Sequence, residues 1–216
     1  MLNKSFKKFK FHHLKKNNQV LYYSINTNGK YEVENLINNF LNEKNSFIFE
    51  SVEKGFIKGR YTIFGKNPDK IWEFNNNKCK LFFNNQVKIL KGKPKENIEK
   101  IIENFNFIIP NELPPISSII SGYFSYDIIR YIENIPNKTK DDLKIPDARI
   151  LRPKNLIIHD NYNKKLFFIV NSFKDEKISN FEKKFNEIKK NIKEMVFLLN
   201  ESQIFDLAQL EKYHPF

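Results

Sequence analysis

The sequence contains a single cysteine and no long apolar run, and each shortage excludes a class of protein. With Cys79 alone among 216 residues, no disulfide can form within the chain, which fits a reducing compartment. No stretch approaches the roughly 18 uninterrupted apolar residues of a membrane-spanning helix. Lysines separate Phe6, Phe9 and Phe11, so the N-terminus lacks the apolar core of a signal peptide. We therefore expect a soluble, cytoplasmic protein with no membrane partner.

Glycine is also scarce, and the common catalytic signatures are missing. The six glycines are too widely spaced for a phosphate-binding loop. There is no Cys–His cluster with zinc spacing and no Gly-x-Ser-x-Gly nucleophile turn. The adjacent side chains of His12-His13 and of His159-Asp160 diverge on any regular element, which argues against metal binding and catalysis. The residues by themselves indicate no catalytic or metal site.

A formal net charge of +12 is the strongest bias in the composition. Such a surplus is typical of proteins that bind nucleic acid or anionic membranes. Here the lysines are spread along the whole chain, with one dense cluster near the N-terminus: Lys4, Lys7, Lys8, Lys10, Lys15 and Lys16. We interpret the charge as a solvated surface, so nucleic acid is not an expected partner.

The hydrophobic pattern predicts an α+β fold, with a mostly antiparallel sheet flanked by helices. Short β-rich runs between Asn-rich turns predict a meander that includes 78–83 and 86–90, and a strand pair over 149–160 and 165–171. Apolar residues at helical spacing predict a helix over 31–41, a helix that begins at Pro94, and a long amphipathic helix over 176–199.

The same pattern predicts the domain organisation. We divide the chain into a basic, irregular N-terminal arm (1–18), a main domain (19–172), a connecting amphipathic helix (173–199) and an unpatterned tail (200–216). Within the main domain, 66–69 is a predicted turn and 116–124 a buried strand. Ser125 is placed to cap a following helix, with Ile128, Ile129 and Ile132 toward the core.

The stretch from Ser46 to Gly65 carries the most chemistry. Phe47 to Phe49 is an apolar run of strand length that ends at Glu50 and Ser51. A second β-rich run, which starts at Arg60, returns toward the same region after a turn. A carboxylate, a hydroxyl and a guanidinium beside aromatic rings suit a zwitterionic aromatic ligand. No histidine lies nearby in the sequence, so this pattern does not indicate a nucleophile.

Three segments of the sequence resemble anthranilate synthase component I. Residues 46–65 resemble the family's Leu-Leu-Glu-Ser segment and the Gly-Arg-Tyr-Ser-Phe-Ile-Gly segment that follows it. Residues 121–136, which contain Gly-Tyr-Phe-Ser-Tyr-Asp, are similar to a second family segment, and 141–147 to a third. The three follow the family's order and cover roughly residues 20–172. Aminodeoxychorismate synthase component I shares this half, and both families stay open.

The resemblance implies a function and part of a ligand site. It identifies the chain as the N-terminal domain of a protein that converts chorismate to anthranilate, without the catalytic half that handles chorismate and magnesium. We therefore expect no cofactor and no activity in this chain alone. Ser51 matches the serine of the family's tryptophan feedback site, Glu50 is its neighbour, and Arg60 is a further candidate for binding the ligand carboxylate. The structural alternative for Arg60 is an ion pair with Glu50 or Glu53.

The resemblance also implies partners. We expect the chorismate-binding catalytic half, the glutamine amidotransferase component II, and tryptophan as an inhibitor that binds weakly to an isolated half-pocket. A domain that lacks its companion should expose apolar surface where that companion packs. The alternative from another class is a stand-alone module that binds an aromatic metabolite or a polyanion.

Overall fold

The computed structural model describes residues 2–27, 39–50, 59–136, 141 and 143–198. It contains helices α1 (Phe6–Leu14), α2 (Pro94–Asn104) and α3 (Phe181–Phe197), and one 3-10 helix (Tyr126–Tyr131). The strands are β1 (Gln19–Asn26), β2 (Phe47–Phe49), β3 (Tyr61–Asn75), β4 (Lys78–Phe83), β5 (Gln86–Leu90), β6 (Ser121–Phe124), β7 (Ala148–Asp160) and β8 (Lys165–Ser172). Their paired registers are antiparallel. The predicted α+β, mostly antiparallel fold is therefore confirmed.

The chain forms two compact units. Unit 1 comprises Met1–Asn67, Phe107–Ser118 and Lys154–Phe216, and unit 2 comprises Pro68–Asn106 and Ile119–Pro153. The long strands β3 and β7 are neighbours in the strand order, and each contributes residues to both units. No helix among the described residues is long and apolar enough to cross a lipid bilayer.

Unit 1 has a phenylalanine-rich core between its sheet and its helices. Strand β8 pairs with β1 on one side and with the second half of β7 on the other, and β2 pairs with the first half of β3. The buried side chains of this core include Phe9, Leu21, Phe40, Phe64, Ile157, Phe168, Phe185, Ile188, Ile192 and Met195. Burial of these large side chains is the main stabilising contribution, because apolar burial scales with the area removed from water.

Unit 2 has a smaller core of its own. The second half of β3 pairs with β4, β4 pairs with β5, and β6 pairs with the first half of β7. Two arginines of β7 bind carboxylates of β3, Arg149 with Glu73 and Arg152 with Asp69. The core residues are Trp72, Phe74, Cys79, Leu81, Ile101, Ala148 and Ile150. Burial raises the pKa of the Cys79 thiol to about 12, so this cysteine is a packed, unreactive side chain.

Most predicted elements are present close to their expected bounds. The strands predicted over 78–83, 86–90 and 149–160 correspond to β4, β5 and β7. The helix that begins at Pro94 is α2, and the long amphipathic helix is α3, five residues shorter at its start than its hydrophobic pattern. The buried strand predicted over 116–124 is confined to β6 and is not buried, because three of its four residues are exposed. The helix predicted over 31–41 lies mostly outside the described residues.

Two local predictions are wrong. Residues 6–14 of the expected irregular arm form helix α1, because Ser5 accepts a hydrogen bond from the backbone N–H of Lys8 and Phe9 is buried in the unit 1 core. The turn expected at 66–69 does not reverse the chain. Asn67 has a left-handed backbone with φ of 54°, yet β3 continues through it because it lies beside β7.

Candidate ligand-binding site at the end of strand β2

The structure places Glu50 and Arg60 at the same end of the β2–β3 pair. The register pairs Phe49 with Ile63, so Glu50 follows the last paired residue of β2 and Arg60 immediately precedes β3. Glu50 is exposed. Ser51, the residue that matches the family's inhibitor-site serine, lies outside the described residues, as does Glu53. The proposed ligand roles of all three site residues therefore stay predictions.

Arg60 binds Asp160, at the end of β7, a carboxylate that the sequence pattern did not indicate as its partner. Its Nε donates to Oδ1 at 3.1 Å and its Nη2 donates to Oδ2 at 2.8 Å, which is a bidentate arginine–carboxylate pair. The guanidinium also lies over the rings of Tyr61 and Tyr162, with its Cζ 4.9 and 5.6 Å from the two ring centroids. These contacts fix the guanidinium, and 28% of the arginine side chain stays exposed.

Asp160 organises the turn between β7 and β8. Besides Arg60, its carboxylate accepts hydrogen bonds from the backbone N–H groups of Tyr162 and Asn163 and from the Asn163 side chain. Burial by itself raises the pKa of this carboxyl, but the hydrogen bonds from Arg60 and Asn163 outweigh burial, and the net shift is downward. Asp160 is therefore ionised at neutral pH and acts as the anchor of Arg60.

Sequence reasoning missed Asp160 because 100 residues separate it from Arg60. A signal was present in the run Asp-Asn-Tyr-Asn between two predicted strands, since an aspartate at the start of such a turn commonly accepts backbone hydrogen bonds.

His159, the residue before Asp160, is buried. Burial lowers its pKa to about 4, and Lys164 lowers it further. At neutral pH this imidazole is uncharged.

The arrangement has the groups needed to bind a ligand with a carboxylate and an aromatic ring. A fixed guanidinium with an exposed portion, beside two tyrosine rings, can bind a carboxylate and an aromatic group. Within the described ranges, no group of three or more His, Cys, Asp or Glu side chains is placed to hold a metal ion. What these residues support is one wall of a binding site.

The glycine that ends the first motif has a packing role. Gly65 lies directly opposite Phe47 in the β2–β3 register. A Cβ atom at this position would lie 2.2 Å from Cζ of Phe47, so the phenylalanine ring occupies the space that any other side chain would need. Because Phe47 belongs to the short strand that leads to Glu50, this contact helps to set the position of the site.

The glycine of the second motif permits a close approach of two backbones. Gly122 lies in β6, and a Cβ atom there would lie 2.0 Å from the carbonyl oxygen of Arg149 in β7. No side chain fits between these strands, because the obstacle is the backbone itself. The backbone that approaches Gly122 is therefore that of β7.

The segment after Gly122 differs from its prediction. The residues from Tyr126 to Tyr131 form a single 3-10 helix, and no hydrogen bond from the Ser125 side chain caps it. Ile128 packs against the unit 2 core as expected, but Ile132 is 70% exposed. The 3-10 geometry is the reason, since its repeat of three residues per turn does not keep both isoleucines on one face.

Comparisons with known proteins give a consistent family likeness over part of the chain. No protein-family model matches the sequence. The chain is 34% identical over 120 residues to anthranilate synthase component 1 of Cereibacter sphaeroides, covering 53% of this chain and 24% of the relative. It is 35% identical over 126 residues to the Acetivibrio thermocellus protein of the same name, covering 58% of this chain and 26% of the relative.

Among solved structures, the chain resembles anthranilate synthase component I from Streptococcus pneumoniae TIGR4, with a TM-score of 0.48 and 21% identity over 78% of this chain and 36% of that one. The chain matches about a quarter of the length of the curated relatives named above. The resemblance predicted from the three sequence motifs is confirmed: the chain is similar in sequence to part of anthranilate synthase component I.

Proposed function

We propose that this chain is the N-terminal, regulatory and structural part of an anthranilate synthase component I. In this role it acts in the cytoplasm with a chorismate-binding, magnesium-dependent catalytic half and with glutamine amidotransferase component II. Together they convert chorismate to anthranilate in tryptophan biosynthesis. The observation that carries the proposal is the 34–35% identity to two component 1 proteins over more than half of this chain. The packing roles of the motif glycines support it, because they give a physical reason for two of the matched positions.

The chain contributes one wall of a tryptophan feedback site in this proposal. Glu50 follows β2, Arg60 precedes β3, and Ser51 is the next residue after Glu50 in the sequence. Tryptophan offers an ammonium, a carboxylate and an indole ring to such a wall. Because Arg60 already uses two of its N–H groups on Asp160, its exposed portion can make at most a partial clamp on the ligand. The chain alone is expected to bind tryptophan weakly, since one wall cannot enclose the indole.

A chimera tests the proposal with an intact partner. Residues of this chain replace the matched segment of the Acetivibrio thermocellus component 1, and the purified chimera is assayed with chorismate and ammonia. We expect anthranilate as the product, and no turnover by the 216-residue chain alone. Turnover by the chain alone, or a folded chimera without activity, would overturn the proposal. Formation of aminodeoxychorismate in place of anthranilate would assign the chain to the sister family.

Tryptophan inhibition of the same chimera tests the site. Glu50→Gln, Ser51→Ala and Arg60→Lys are expected to raise the tryptophan concentration needed for half inhibition while the uninhibited rate is kept. Lys66→Gln is the control, because its ammonium binds Glu43 away from this strand end. Unchanged inhibition in all three site variants removes them from the tryptophan site. Tight binding of tryptophan to the chain alone, measured by calorimetry, would contradict the prediction that this chain supplies only one wall of the tryptophan site.

A further inference from the structure

Unit 2 exposes several large apolar side chains on and shortly after strand β6. Tyr126 is 93% exposed and Ile132 is 70% exposed, although both are residue types that proteins usually cover. We call this the β6 surface; its exposed members are Tyr123, Phe124, Tyr126, Ile132 and Ile135. Five exposed large apolar residues within 13 positions of one segment are unusual for a surface, and exposed apolar groups concentrated in one region mark interaction sites more often than scattered single residues do.

The β6 surface is held in place by the residues between its exposed members. Ile128 and Tyr131 pack against the unit 2 core, and the Tyr131 hydroxyl donates a hydrogen bond to Asp147. Arg130 binds Asp127 and donates to the backbone carbonyls of Ile135 and Pro136. The outward-facing side chains are therefore presented by an anchored backbone, and their exposure is a property of the folded unit.

Strand β6 also offers an open edge. Within the described part of the chain, β6 pairs with β7 along one side only. No strand among the described residues pairs with its other side, and open edges of this kind are places where another polypeptide adds a strand.

Charge distinguishes this edge from the edge at β5. Soluble proteins commonly protect an edge strand with lysine, and β5 carries Lys88 between its exposed Val87 and Ile89. By contrast, no lysine occurs anywhere between Lys100 and Lys138, although the chain carries a net charge of +12. The β6 surface therefore lacks lysine, and its charged residues Asp127, Arg130 and Glu133 lie after the strand rather than on it, which favours its being covered in the assembled protein.

We propose that the β6 surface is the docking site for the part of anthranilate synthase component I that this chain does not match. That part adds a strand or an extended segment to the open edge of β6 and buries the side chains of Tyr126 and Ile132. Three features favour this occupant: the aromatic and aliphatic composition typical of interface cores, the unprotected strand edge, and relatives about four times as long as the matched segment. The inference rests on the proposed function.

Hydroxyl-radical footprinting tests the docking site without depending on activity. The full chain alone and the Acetivibrio thermocellus chimera are oxidised under identical conditions, and modification of each side chain is measured by mass spectrometry. We expect several-fold protection of Tyr126 and Ile132 in the chimera, with Val87 and Ile89 oxidised equally in both proteins. Equal oxidation of Tyr126 and Ile132 in the two proteins overturns the inference, whether or not the chimera makes anthranilate.

A matched pair of double variants completes the test. Tyr126→Ser/Ile132→Ser in the chimera should lower anthranilate formation about 10-fold or more, because two central apolar side chains lose their buried contacts. Val87→Ser/Ile89→Ser, an exposed pair in the same unit, should leave the rate unchanged.

The outcomes separate the two proposals. If the chimera is active and the Tyr126→Ser/Ile132→Ser variant (the β6 variant) is equally active, the docking site is overturned and the proposed function stands. An inactive chimera with a protected β6 surface overturns the proposed function alone. A dimer of the chain alone that the β6 variant dissociates assigns the surface to a second copy and overturns the inference.

Discussion

The Arg60 guanidinium and the Asp160 carboxylate form a bidentate pair between the start of β3 and the end of β7. Asp160 is almost completely buried, with 2% of its side chain exposed, while Arg60 keeps an exposed portion. The same carboxylate closes the β7–β8 turn through Tyr162 and Asn163. One buried acid thus fixes both a hairpin and the guanidinium nearest the proposed ligand.

Asp160→Asn should destabilise the chain at neutral pH and much less in acid. The pKa of Asp160 in the folded state lies below its unfolded value of about 3.9, so its stabilising contribution is fully present above that value. The contribution is lost as the pH falls through the lower folded pKa. Urea unfolding at pH 7 and at pH 3, followed by circular dichroism, measures the difference.

The control for this variant is Asp127→Asn, which removes a largely exposed carboxylate that also binds an arginine. It should change the free energy of unfolding by no more than about 0.5–1 kcal/mol at either pH. If the gap between wild type and Asp160→Asn is the same at pH 7 and pH 3, the carboxylate is not stabilised by its partners.

His159 should make the folded chain sensitive to mild acid. Burial lowers its pKa to about 4 in the folded state, whereas an unfolded histidine titrates near 6.5. The unfolded chain therefore takes up a proton first as the pH falls from about 6.5 to about 4, and the free energy of unfolding drops by up to about 3 kcal/mol. His159→Gln, which cannot protonate, should remove this part of the pH dependence. Parallel pH profiles for the two proteins would show that His159 protonates equally in both states.

Gly65→Ala should be costly only while Phe47 is present. The new methyl group would overlap the phenylalanine ring, and such overpacking costs about 1–3 kcal/mol. In a Phe47→Ala background the space is free, and alanine should be neutral or stabilising by about 0.5–1 kcal/mol, because glycine weakens strands. A double-mutant cycle of unfolding free energies measures the coupling. Equal costs in both backgrounds would mean that the ring does not occupy the space above Gly65.

Phe9→Ala should destabilise the chain by about 3–5 kcal/mol, the usual cost of removing a buried phenylalanine. The Phe9 ring stacks on Phe185 at 5.5 Å between centroids and lies edge-on to Phe181. Phe11→Ala is the matched control on the same helix; its ring is 58% exposed, and its loss should cost no more than about 0.5 kcal/mol. Thermal and urea unfolding of both variants shows whether α1 is packed against the core. If residues 6–14 were a loose basic arm, the two substitutions would lower the free energy of unfolding by similar amounts.

The strands were predictable from the sequence because their turn residues are local signals. Asn76-Asn77 and Asn84-Asn85 all have positive φ, which asparagine tolerates better than most residues, and they separate β3, β4 and β5 where the pattern predicted. Helix α1 was missed for a related reason. Its lysines obscured an inward stripe formed by Phe6, Phe9 and His13.

The candidate site was only partly predictable. Local pattern placed Glu50 and Arg60 near each other, and the β2–β3 register brings them to one strand end. The partner of Arg60 depends on pairing between segments about 100 residues apart, which no local signal specifies. The failed turn at 66–69 has the same origin, since β3 continues through Asn67 and its neighbour in the sheet, β7, is distant in the sequence.

The division of β3 and β7 between the two units has a consequence for anyone who wishes to dissect this chain. Unit 1 is assembled from three separate stretches, and unit 2 from two that flank residues 107–118. Neither a cut nor a terminal deletion can isolate unit 1, because the strands of unit 2 lie between its stretches. Unit 1 will require a rejoined gene, whereas a fragment covering 68–153 keeps both stretches of unit 2 together with residues 107–118, which contain no strand.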